Sequence, residues 1–142
     1  MTDLPITVAH NQKITHHYEI HFPAHEPRQG DPLYVDFNAY RKAHIADAQC
    51  YIGQRVGFQQ CSLDQPLELH HAHIEFSLQN GVSLTALAKD YPGIDNPTQV
   101  GQWIESEQNF RWLCVYHHRG LGGAHNLSHS DFEASQYIPN LT

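Results

Sequence analysis

Two short stretches of this chain concentrate side chains able to hold a metal ion or move a proton. Leu67-Glu-Leu-His-His-Ala-His-Ile74 reads as a strand ending in adjacent histidines. Asn109-Phe-Arg-Trp-Leu-Cys-Val-Tyr-His-His118 sets an asparagine nine residues ahead of His118, with Cys114-x-x-His117 between them. Thirteen of the 142 residues are histidine. The neutral imidazole is a common metal ligand, and its unperturbed pKa of about 6.5 suits general-base work near neutral pH. Cys50, Cys61 and Cys114 are an odd number with no signal-like N-terminus, which favours reduced thiols open to metal over disulfides.

Strand periodicity constrains the first stretch. Period two puts His71 and His73 on one face, and His70 with Glu68, Ala72 and Ile74 on the other. His70 and His71 can serve one metal-and-water site only where the strand bends or ends. A His71–His73 working pair therefore stays open beside the His70–His71 one.

The flanking elements are set by pattern and caps. Lys13–Phe22 alternates, with Ile14, His16, Tyr18, Ile20 and Phe22 on one face, and predicts a strand closed by Pro23. Asp31-Pro32 predicts the start of a helix reaching about Ala48, with Phe37, Tyr40 and His44 near one side. Cys50–Ile52 predicts a short strand, and 53–64 a turn-rich segment. Between the motif stretches, Ser83 caps a helix to Asp90 and Asn96-Pro97 opens another to about Glu107. Arg111–Val115 reads as a second strand. Gly120, Gly122 and Gly123 interrupt any helix past His118, and Ser130-Asp-Phe-Glu133 is a capping box for a helix to about Ile138.

One domain, 1–142, accommodates this length, and 40% apolar residues indicate a packed core rather than disorder. The formal charge of −7, with eight Lys and Arg, works against broad nucleic-acid binding but leaves room for a local basic stripe. No stretch approaches the apolar length of a membrane span, and cytoplasmic residence is the expectation.

The order of the two stretches resembles the HNH (ββα-metal, His-Me finger) endonuclease signature. There a strand ends in Asp-His or His-His and is followed by Asn-Leu-x-x-Leu-Cys-x-x-Cys-His. Here the second half is Asn109-Phe-x-x-Leu113-Cys114-x-x-His117-His118, with Phe for Leu and His for Cys. The resemblance covers roughly 50–138. It implies an α+β domain with a ββα-metal core, an N-terminal strand-helix extension (1–48) and a helical insertion. It also implies metal-dependent hydrolysis of DNA phosphodiesters. By resemblance His71 is the water-activating base, with His73 in reserve, and Asn109 fixes the local backbone and orients the base. His70 and His118 hold one divalent ion (Mg²⁺, Mn²⁺, Ni²⁺ or Zn²⁺), with His125 replacing or supplementing His118 beyond the glycines.

Many HNH domains also hold a structural zinc. Cys50, Cys61, Cys114 and His117 are the available ligands, although ten residues between the first two is far wider than a zinc knuckle. Arg111, Arg119 and Arg55 are the residues expected to converge on DNA along one face of the metal cleft. The N-terminal histidines His10, His16, His17, His21 and His25 lack ligand-like grouping with acids or cysteines, and His16 is expected in a core or interface. The extension is a candidate for homodimer or partner-protein contact. The rival reading is a catalytically inactive, metal-stabilised module that binds nucleic acid or protein.

Overall fold

The two motif stretches pair with each other. Strands β1 (Glu68–His71) and β2 (Phe110–Leu113) run antiparallel, with Glu68 opposite Leu113, His70 opposite Arg111 and His71 opposite Phe110. Partners facing each other across such a pair share a face, so His70 goes with Arg111 and His71 with Phe110. Four-residue strands cannot stand alone. Helices support them.

In the computed structural model, which describes residues 8–25, 27 and 33–142, six α-helices surround this sheet. They are α1 (Tyr34–His44), α2 (Tyr51–Val56), α3 (Leu84–Asp90), α4 (Pro97–Ile104), α5 (Val115–Arg119) and α6 (His129–Ser135). Two cores result. Cys50, Ile52, Leu113, Cys114 and Phe132 join α2, β2 and α6. Leu87, Ile94, Val100, Trp103 and Ile104 form the second, inside the insertion between the strands. The insertion helices are capped as their sequences require: Ser83 Oγ accepts from Ala86 N, and Asn96 Oδ1 accepts from Gln99 N.

Asn109 ties the insertion to the sheet. Its side chain is fully buried. Oδ1 accepts from the amides of His73 and Ile74 at 2.9 and 3.1 Å, and Nδ2 donates to the carbonyls of Ile74 and Ile104, both at 2.9 Å. All four hydrogen-bonding positions of the amide are used. The chain leaving β1 is thereby stapled to the end of α4.

Several expectations need correction. Lys13–Phe22 forms no strand: it has no regular secondary structure and is exposed, Ile14, His16, Tyr18, Ile20 and Phe22 included. Alternation makes a face, but a strand needs a hydrogen-bonded neighbour, and none lies beside this segment among the described residues. His16 is accordingly outside any core. Cys50–Ile52 is not a strand either, because Cys50 N-caps α2 and its carbonyl accepts from Gln54 N. The last helix starts before the capping box, with Ser128 accepting from Asp131 N, and stops at Ser135. Helix α4 stops at Ile104, short of Glu107. The proposed Asp31-Pro32 cap lies outside the described residues. The helix after it ends at His44 and passes into a 3₁₀ turn over Ile45–Asp47. Among the described residues no helix is long and apolar enough to cross a membrane.

Candidate metal centres

Three sulfurs converge on one imidazole nitrogen. His117 Nδ1 lies 3.2 Å from Cys114 Sγ, 3.6 Å from Cys50 Sγ and 3.7 Å from Cys61 Sγ. A tetrahedron with Zn–S of about 2.3 Å and Zn–N of about 2.0 Å has an S···N edge of about 3.5 Å. The measured distances bracket that edge. All four ligand atoms lie within 4.8 Å of one another, and every residue but Cys61 is buried. The donor set and its closure fit a structural zinc. Cys114 and His117 come from the start of α5, where Cys114 Sγ also accepts from His117 N.

Cys50 and Cys61 meet despite their separation because α2 and a turn fold the intervening chain back, with Cys61 N donating to Phe58 O. The return passes so close to α2 that a Cβ on Gly53 would stand 2.5 Å from Phe58 Cδ1 and 2.9 Å from Cys61 Sγ. A side chain there would push the fourth ligand away. The thiols are already unequal. A hydrogen bond from Cys50 pulls the Cys114 thiol far below its usual range, whereas burial pushes Cys61 up to about 11.

A second cluster lies one residue further along α5. His118 Nε2 and His125 Nε2 face each other at 3.0 Å, and the His70 ring stands 5.0 and 5.1 Å from those two rings. One ligand atom from each lies within 4.8 Å of the others. His70 Nδ1 is buried with no hydrogen-bond partner, an orphan that a ligand would satisfy. Burial, and then the neighbouring His118 and His125, push the His70 pKa down to about 3, which keeps its ring neutral. His118 Nδ1 lies 2.9 Å from Glu68 Oε1, a carboxylate that also accepts from Arg119 Nε at 3.0 Å. Burial alone would raise the Glu68 pKa, but the bonds from His118 and Arg119 outweigh it and hold the carboxyl low. Glu68 behind His118 fixes the ring and turns Nε2 toward the site. The cluster runs from buried His70 to exposed His125, so one side stays open.

The glycines have a role in this. Instead of merely ending a helix, they return the chain to its own last turn: Ala124 N donates to His117 O, and His125 N to His118 O, each at 3.0 Å. A Cβ on Gly123 would stand 2.7 Å from the His118 carbonyl carbon and oxygen.

His71 lies apart from this triad, with its cross-strand partner Phe110. Its Nε2 is 3.2 Å from Glu105 Oε1, and its ring stacks on Phe37 of α1 at 5.2 Å and meets Phe110 edge-on. Asn109 does not touch the ring; Glu105 does. His73 is largely exposed, 6.4 and 6.3 Å from the rings of Tyr91 and Trp103, and the partial desolvation of its ring, followed by the Arg111 charge, lowers its pKa. Among the arginines, Arg111 lies over the Tyr51 ring at 4.1 Å, opposite His70 in register. Arg55 reaches the same ring at 5.6 Å, and its Nε donates to Gln136 O. Arg119 sits on Glu68 at the edge of the triad. Sequence reasoning does not single out Glu68 or Glu105. Glu68 was detectable, being two residues from His70 and on its face. Glu105 carried no such signal. The chain matches no family model, no curated protein and no solved structure.

Proposed function

We propose that the protein is a metal-dependent endonuclease acting on DNA, with β1, β2 and α5 forming a ββα-metal core. The observation that carries this reading is the His70–His118–His125 cluster, open on one side and backed by Glu68. Three protein ligands and a free position are the pattern of a catalytic ion, whereas the closed Cys₃His group fits a structural one. Three imidazoles suit Zn²⁺ or Ni²⁺ better than Mn²⁺ or Mg²⁺, which favour oxygen ligands. When bound, such an ion supplies charge stabilisation on the phosphoryl oxygens and at the leaving 3′ oxygen. By the resemblance, His71 would take the proton from a water whose oxygen attacks phosphorus; as the P–O3′ bond breaks, the 3′ oxygen leaves and takes a proton from solvent. Arg111 and Arg119 hold the phosphate, and Arg55 extends the basic track beyond Tyr51.

The test is nicking of supercoiled plasmid with each metal. Wild type should cut, and His71→Ala should be slower by about 10²–10⁴-fold, the usual worth of a general base. No cutting by wild type with any of these ions rejects the reading. The chain's −7 charge favours the second reading, a metal-stabilised binding module that leaves DNA intact.

A further inference from the structure

The contact between Glu105 and His71 joins two groups 34 residues apart and has no counterpart in the sequence motif. The Glu105 side chain is wholly buried, and that of His71 is 9% exposed. We infer that Glu105 is the positioning residue for His71: its carboxylate accepts from Nε2–H and so leaves the Nδ1 lone pair as the basic one. This rests on the reading of His71 as the base. Three features hold the ring in that pose. Phe37 covers one face at an interplanar angle of 17°, and Phe110 abuts it at 71°. Asn109 binds the Ile104 carbonyl on one side and the amides of His73 and Ile74 on the other, so the peptides next to Glu105 and just beyond His71 are locked together. Among the described residues no group is bonded to His71 Nδ1.

A neutral imidazole has one N–H and one lone pair, and an acceptor on one nitrogen decides which is which. Without Glu105 the ring is free to present N–H where the lone pair is needed. Glu105 is a positioning residue because it acts through His71. The same contact gives the N-terminal extension a part in the site, since Phe37 belongs to α1.

Glu105→Gln keeps the size of the side chain and isolates the carboxylate. With Ni²⁺ and saturating plasmid, single-turnover nicking should slow by about 10–100-fold, the usual cost of losing an outer-shell partner. The DNA Kd and the Ni²⁺ affinity of the triad should not move, whereas a merely structural role would shift all three. Unchanged nicking overturns the inference. An independent readout is ¹⁵N NMR of the zinc-loaded protein, in which His71 should carry its proton on Nε2 and lose that preference in Glu105→Gln. A proton on Nδ1 in the wild type overturns the inference even if the variant fails to fold. If the Nε2–H form is present and yet wild type cuts nothing, the pairing stands and it is the nuclease reading that fails.

Discussion

Cys50, Cys61, Cys114 and His117 surround a point with four ligands, three of them sulfur and three of the residues buried. His70, His118 and His125 offer three nitrogens and leave a side open. The two clusters meet at the His117–His118 peptide bond, so neighbouring residues of one short helix belong to ligand sets of opposite character. Closure and thiolate donors make the first suited to holding the chain together. An incomplete shell of borderline nitrogen donors makes the second suited to exchanging water or phosphate. The nearby carboxylates divide in the same way. None is hydrogen-bonded to the sulfur site's histidine among the described residues, whereas Glu68 braces His118.

The largest effect that would break this contrast is loss of a sulfur ligand. Structural zinc contributes about 10–16 kcal/mol in small zinc-folded units, comparable to the whole stability of a domain. Cys114→Ser should therefore be unfolded at 37 °C by circular dichroism and should lose its zinc by atomic absorption. A folded, zinc-free variant would show that the cluster is ordinary core. His118→Ala should stay folded, keep one zinc, and lose Ni²⁺ binding at the triad together with nicking. If it unfolds as Cys114→Ser does, the two sites are not different in kind.

Glu68→Gln addresses the brace. Ni²⁺ affinity by titration calorimetry should fall about 10–100-fold with the fold intact, and no change would reduce Glu68 to an Arg119 partner. Acid tests the triad more gently. His70 has its folded pKa pushed to about 3 by burial, then His118 and His125, and burial, then His118, lowers that of His125. In the unfolded chain these rings titrate near 6.5. The unfolded state thus binds more protons between about pH 6.5 and 3, and stability falls as pH drops through that window. Urea unfolding from pH 7 to 5 should show a flatter loss in His70→Gln than in wild type, any zinc loss being common to both. Equal slopes would mean that His70 is not held neutral. Smallest is Arg111→Ala, which should lower the salt slope of DNA binding by about 0.9 if the arginine contacts one phosphate.

What was legible in the sequence divides along physical lines. Helices α3 and α4 are set by local caps, and Ser83 and Asn96 place their starts to the residue. Cys114 and His117 are placed together by their spacing on one short helix, whereas His70 and His118, far apart in the chain, were paired only by the resemblance to the HNH signature. Cys61 was harder, because knuckle spacing assumes a tight turn and here a helix and a return loop do the same work, with Gly53 leaving room for the sulfur. Glu105 was out of reach. Its meeting with His71 depends on how α4 ends and on four bonds made by Asn109, none of which has a periodicity. Lys13–Phe22 misled because a pattern describes one side of an interface and says nothing about whether the other side exists.

Helix α5 has five residues, too few to persist in water by itself. Its first turn is anchored by Cys114 and His117, and its last residues carry His118 and the carbonyl that fixes His125. With an ion at each site, filling one would pre-order the ligands of the other, and the two affinities would share a coupling free energy. Such coupling is reciprocal. Whatever factor zinc adds to the affinity of the histidine triad, an ion on the triad returns to zinc, and a chelator that strips one is opposed by the other. The order of loading would then matter for how the chain matures: zinc first would build a receptor for the second ion, while the reverse order would ask three histidines to seat a helix with only its core contacts, such as those of Cys114 and Tyr116, to help.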